Sequence, residues 1–399
     1  MNRKISLGVS IALVFLAITV TFSVTMMFSM RLFNEKVLSV KERAAMYDKL
    51  TEIDGVVRSN LYYDIDEQKL CDAIAMGYLD GVGDRDSIYL SPAQIQRRNE
   101  MSKGNEVTIG FETEKSINGY MLVTSIRRGC SAAELGLVEG DIIVRVEELD
   151  ILENGYDESA ALLDGAAGTK VTLTYTRDGE ETTIEVTREK IETAVVFASR
   201  EIKDIGYLRI KLFNDNTEKQ FNAMLGELVV RNPVKGLIID LRDTDGGYNL
   251  ETVANMLDRL LPTGVLISGT FSNNVTKILY TSDDTGVKIP IVVLVNENTY
   301  GFAELFAGVI GDYEKTAIVG TQTYGKGTLQ QLCMLTDGSA LDLTVAVLNL
   351  PASGTYDGVG IRPDYEAEDS KYMFSDGEPD PVQDAQLAKA VEVLYSMLK

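Results

Sequence analysis

GLIIDLRDTDGG, residues 236–247, is the stretch that decides the fold. Leu237, Ile238 and Ile239 run apolar without alternation, the pattern of a strand covered on both faces. The paired glycines Gly246 and Gly247 belong to a turn, and Leu250 to Leu261 then place apolar residues at helical spacing until Pro262 stops them. The same succession recurs downstream. IPIVVLVNE (289–297) reads as a second buried strand, followed by a turn and a helix through Ala303 to Ile310, and a third strand over Ala317 to Gly320 leads into Tyr324-Gly325-Lys326-Gly327. From Ile205 onward the chain is therefore α/β. Each strand–turn–helix junction presents backbone amides at a helix N-terminus, where the dipole favours negative charge.

Upstream the texture changes. Between 104 and 190 the sequence breaks into short β-like runs, Met121 to Ile126, Ile142 to Val146, Val171 to Tyr175 and Thr182 to Val186, while 129–141 has the form of a short helix, a glycine stop and a turn. Residues 31–103 alternate apolar and charged positions at helical spacing, with turn signals at Gly81, Gly83 and Pro92, and read as a helical arm. No charge appears from Ile5 to Met30. At 1.5 Å per residue that run reaches roughly 39 Å, enough to cross a core of about 30 Å, so it is expected to be an uncleaved transmembrane helix rather than a signal peptide. Arg3 and Lys4 in the tip, residues 1–4, place that tip in the cytoplasm and the bulk of the chain outside it. The expected divisions are thus 1–4, 5–30, 31–103, 104–190, a core over 191–365 and a helical tail over 366–399.

Composition narrows the chemistry. The 399 residues carry 38 basic and 60 acidic side chains, a net charge of −22 that repels nucleic acid and anionic lipid alike. There is no histidine. A Ser-His-Asp triad, a Cys-His dyad and most catalytic zinc sites are excluded, which leaves a lysine or a carboxylate as the base near neutral pH. Cys71, Cys130 and Cys333 are too few and too far apart for a disulfide framework, and each reads as a small buried hydrophobe. Neither a metal nor a cofactor is expected.

GCSAAELGLVEGDIIVRV (129–146) closely resembles the signature of a PDZ domain, and LLDGAAGTKVTLTYTRDG (162–179) resembles the helix and strand that complete one. The resemblance implies a peptide groove at Ile109, Gly110 and Phe111, where a sheet edge accepts an extended chain and backbone amides hold its carboxylate. After it come LRDTDGG, VNENTYGFAELFAG, VGTQTYGKGTLQQ and GVGIRPD, which in that order resemble the C-terminal processing peptidases, or tail-specific proteases. GVGDRDSIYLSP (81–92) and DPVQDAQLAKAVEVL (380–394) extend the likeness over nearly the whole chain.

What the family implies is a multidomain α/β protein with a crotonase- or Clp-protease-like peptidase core and a serine/lysine endopeptidase activity near protein C-termini. Lys326 matches the general base. Gln330, a helical-type spacing onward, matches the residue that orients it. Gly246 and Gly247 match the oxyanion turn, with Asp245 where proline is usual, and Phe302 supplies the other oxyanion amide. The nucleophile position is Gly301, where family members carry serine. Glycine has no attacking atom, so the expectation is a binding protein built on a peptidase. The alternatives are an active peptidase using a displaced nucleophile such as Thr299 and a purely structural adaptor. Protein substrates or peptide C-termini are the expected partners, nucleic acid is not, and a second copy of the chain, forming a homodimer, is a further candidate.

Overall fold

The computed structural model describes residues 7–127, 129–231, 233–283, 285–368 and 379–399, without the side chains of 7–17, 23, 31–42, 105 and 106. The chain divides into two compact units, 1–73 and 74–399. That division falls inside the stretch read from sequence as one helical arm. In the first unit a 54-residue helix spans Leu7–Asn60. Its end is tied by Arg58, which bonds Asp54 at 2.8 Å and Glu67 at 2.6 Å. Among the described residues no helix is long and apolar enough to cross a membrane. Of the anchor expected over 5–30, residues 5 and 6 and the side chains of 7–17 and 23 lie outside the described ones. Cys71 is exposed and Cys333 half-buried, so of the three cysteines only Cys130 is the buried hydrophobe expected.

The second unit starts with the remainder of the helix Glu67–Val82, a short strand Ile88–Leu90 and the helix Pro92–Ser102, whose N-terminus is closed by a Ser91–Gln94 capping box. A five-strand antiparallel run follows, in the order Phe111–Lys115, Met121–Ile126, Ile142–Val146, Lys170–Arg177 and Glu180–Thr187. Met121, Val123, Ile143, Val171, Leu173 and Val186 point to its core. The ends of this sheet domain are clasped, because Asn105–Thr108 pairs antiparallel with Glu189–Glu192.

The larger sheet runs Val196–Ser199, Ile205–Ile210, Gly236–Asp240, Ile291–Val295, Thr316–Gly320 and Tyr365–Glu366. All pairs after the first are parallel. Its faces are covered as continuous apolar strands demand. Helices Thr217–Leu225, Leu250–Asp258 and Phe302–Gly311 contribute Phe221, Val253 and Phe306 to one core. The helix Ala385–Met397 closes the opposite face with Leu387, Val393 and Leu394. A second sheet, not anticipated from the sequence, pairs Ala340–Asn349 with Ile88–Leu90, Gly264–Phe271 and Thr328–Met334.

Buried charge locks the central strand to the tail helix. Arg242, 5% exposed, bonds Asp240 at 2.6 Å and Asp384 at 2.7 Å, and the Tyr207 hydroxyl donates to Asp240 at 2.7 Å. Burial opposes the charge on Asp240, but Arg242 overcomes it and holds the carboxyl below its usual range.

Candidate active site

Two loops at the carboxyl ends of neighbouring parallel strands build the site, the place where open α/β sheets form their crevices. They are stitched together. Asn296 Oδ1 accepts from the Asp243 amide at 2.9 Å, and the Asn296 and Asn298 side-chain amides donate to the Asp243 carboxylate at 2.9 and 2.8 Å. Gly246 lies so close to the second loop that a Cβ there would sit 2.1 Å from the Phe302 nitrogen. Only glycine permits that approach.

Gly301 caps the helix Phe302–Gly311 with φ 67° and ψ −124°. This is a strained strand-to-helix turn, the backbone form by which nucleophile elbows expose a side chain at a helix N-terminus. A Cβ at Gly301 would meet nothing nearer than the Gly246 Cα at 3.8 Å. The turn therefore has room for a side chain that the sequence does not provide.

Glu304 fixes the turn to the lysine loop. Fully buried, its carboxylate accepts the amides of Gly301 at 2.9 Å, Gly325 at 2.6 Å and Lys326 at 2.8 Å, together with the Thr323 hydroxyl. The buried Tyr356 hydroxyl donates to the Gly301 carbonyl at 3.3 Å. From outside, Arg85 donates to the Gly325 carbonyl at 2.6 Å and to Asp357 at 2.8 Å, and Thr328 donates to Asp86 at 2.8 Å. The half-buried Lys326 ends with Nζ 5.2 Å from the centre of the Tyr300 ring, a position that suits a cation. Burial, with Asp245 adding to it, pushes the Tyr300 hydroxyl up to about 12.

One cleft of about 90 Å³ is lined by Gly246, Gly247, Gly301, Phe302, Lys326 and Gln330. All six positions singled out in the peptidase-like region thus converge. Two details differ from expectation. Lys326 and Gln330 do not share a helix, because Thr328–Met334 is a strand held against Ala340–Asn349. Gln330 accordingly donates to the Thr328 and Thr344 hydroxyls, both at 2.9 Å, rather than accepting from Lys326. The Gly247 amide, meanwhile, donates to its own neighbour, the Asp245 carboxylate, at 3.0 Å. Thr299, the alternative nucleophile position, is engaged in the fold. Its hydroxyl is wholly buried, donates to the Leu241 carbonyl at 2.8 Å and accepts the Asn296 amide at 3.0 Å.

The expected peptide groove lies elsewhere, and its polar groups are already engaged. Ile109 and Phe111 are buried, the Gly110 amide donates to the Thr108 hydroxyl at 3.0 Å, and the Gly110 carbonyl accepts from the Arg127 amide at 2.8 Å. On the strand Phe111–Lys115, the edge of its sheet, the Tyr156 hydroxyl donates to the Thr113 carbonyl at 2.8 Å. Gly110 itself is required, since a Cβ would sit 2.4 Å from the Cys130 side chain.

Glu304, the hub of the site, was not foreseen from the sequence. Nor were Tyr300, Tyr356 and a group on the far wall, Arg98, Tyr248 and Asp342. The signal for Asp342 was present: one charge inside the apolar run 340–350.

Comparison with known proteins agrees with this architecture. The family model described as Peptidase family S41 matches residues 204–367, and that of the PDZ domain matches 107–187. A probable CtpA-like serine protease of Staphylococcus aureus is 29% identical over 344 residues, covering 85% of this chain and 68% of the relative. The carboxy-terminal processing protease CtpA of Bacillus subtilis is 28% identical over 341 residues, covering 84% of this chain and 72% of the relative. Among solved structures, the photosystem II D1 C-terminal processing protease aligns with a TM-score of 0.49 and 24% identity over 86% of this chain and 90% of that one. With a PDZ domain match followed by a Peptidase family S41 match, the chain is similar over most of its length to C-terminal processing proteases.

Proposed function

We propose that this chain is a family member that binds protein C-termini or unfolded segments without cleaving them through an acyl-enzyme. The observation that carries this reading is Gly301, a glycine in the strained elbow conformation with open space where a side chain would stand. In the proposed arrangement a substrate carbonyl lies over the Phe302 amide, with Lys326 as the residual base and Gln330 as a member of the threonine-bonded wall that supports it. The elbow position itself carries no side-chain oxygen to attack. Loss of the nucleophile in serine proteases removes several orders of magnitude in turnover while leaving about 10³ to 10⁴ over water.

Asp245 supports the same reading. An oxyanion is stabilised by donors preorganised around the charge that develops, each worth about 10²- to 10³-fold in rate. Here the Gly247 amide points at a carboxylate. A fixed negative charge beside the Gly246–Gly247 turn opposes a second one, so the site has diverged at two positions that act on the same step. The bonds made by Thr299 weigh against a displaced nucleophile.

Residues 5–30 are proposed as a single-pass anchor on their lack of charge, with the bulk of the chain extracytoplasmic. The functional test is a continuous assay with an unfolded protein substrate. The expected result is binding without turnover; turnover that disappears in Lys326→Ala would refute the reading.

A further inference from the structure

One oxygen in the wall of the cleft lacks a donor. Asp342, on the strand Ala340–Asn349, is 6% exposed. Its Oδ2 accepts from Arg98 at 2.5 Å, while its Oδ1 is buried with no hydrogen-bond partner among the described residues. An unpaired buried carboxylate oxygen is costly, and each one in a native structure calls for a specific reason. Arg98 is itself held in place, with its guanidinium 4.3 Å from the centre of the Tyr248 ring.

Asp342 borders the cleft at Gly301 and also an adjoining one of about 270 Å³, and the two share Arg98, Tyr248, Tyr300 and Lys326. The charges around them select what can enter. Arg85, Arg97, Arg98 and Lys326 outnumber Asp86 and Asp342 on the adjoining wall, which disfavours a cationic side chain. A carboxylate would face Asp342 directly. What remains is a neutral donor on an apolar stem, because Leu250, Phe302 and Leu329 supply apolar surface beside the carboxylate.

We infer that Asp342, positioned by Arg98, is the specificity residue of a peptide subsite beside Gly301 and accepts a hydrogen bond from the side-chain amide of a glutamine or asparagine in the bound segment. The inference rests on the peptide-binding reading above and adds the side chain that the cleft selects. It involves no bond-making step.

The test uses the full-length chain in detergent and fluorescence anisotropy with a set of unstructured twelve-residue peptides. In these, glutamine, leucine, lysine or glutamate is moved through successive positions of an otherwise constant sequence. At one position glutamine is expected to bind about tenfold more tightly than leucine, with lysine no better than leucine. In Asp342→Asn, whose amide can donate, the preference at that position moves from glutamine to glutamate, a gain that a misfolded variant cannot show. Peptides that bind with no glutamine preference at any position overturn the subsite and leave the peptide-binding reading standing. Failure of every peptide to bind overturns both. The scan of the unaltered chain is decisive even if the variant does not fold.

Discussion

The PDZ groove and the peptidase cleft differ in what holds their polar groups. In the groove, two neutral hydrogen bonds close the place of a peptide: Thr108 accepts the Gly110 amide, and Tyr156 donates to the Thr113 carbonyl. In the cleft, a buried carboxylate organises the walls through Glu304, and another carboxylate oxygen, on Asp342, is left without a donor. Neutral bonds contribute about 0.5 to 1.5 kcal/mol each, whereas those to charged groups contribute about 1.5 to 3 kcal/mol. The groove is therefore closed by contacts a peptide can exchange for its own, and the cleft is held open by contacts that are hard to break.

The largest expected effect lies beneath the cleft. Arg242→Met removes the cation that bonds both Asp240 and Asp384, leaving Arg209 3.6 Å from Asp240, and is expected to destabilise the fold by about 3 to 5 kcal/mol in denaturant titration. Because the Asp240 carboxyl is held below its ordinary value, its contribution is present above about pH 4 and is lost as pH falls below that. A parent chain whose stability does not fall in that acid range, or a variant lost by less than 1 kcal/mol, would remove charge from the account of the cleft's rigidity.

Glu304→Gln comes next. The substituted amide cannot accept from all the donors that the carboxylate serves, so a loss of about 2 to 4 kcal/mol is expected together with weaker peptide binding. Near-wild-type stability would show that the Gly301 turn holds itself.

On the other side, Tyr156→Phe is expected to cost only about 1 kcal/mol and, combined with Thr108→Val, to raise the affinity of the chain for a peptide C-terminus several-fold. Calorimetry on the full chain reads both. If affinity is unchanged, those bonds do not close the groove.

Much of this was legible because backbone demands leave marks in sequence. The central strands follow from unbroken apolar runs such as Ile291–Val295, and the convergence of Gly246, Gly301 and Lys326 follows from ordered motifs. The strands Gly264–Phe271 and Thr328–Met334 were not legible, since cross-strand pairing with Thr276–Ser282 and Ala340–Asn349 fixes them rather than an alternating apolar pattern of their own. The same reason misplaced Gln330. A four-residue spacing suits a helix, but pairing with Ala340–Asn349 imposed a strand and turned its amide to threonines. Asp245 reads in the sequence only as a departure where proline is usual; geometry shows it taking the Gly247 amide.

The central claim is that the elbow at position 301 is intact and lacks only its attacking atom. Intact-mass spectrometry after exposure to a fluorophosphonate probe tests it on the parent chain and on Gly301→Ser. The Cβ has space there, and holding a non-glycine residue at φ 67° and ψ −124° costs about 1 to 3 kcal/mol. The account predicts no adduct on the parent chain and a single adduct at position 301 in the variant. An adduct on the parent chain that vanishes with Lys326→Ala would contradict it.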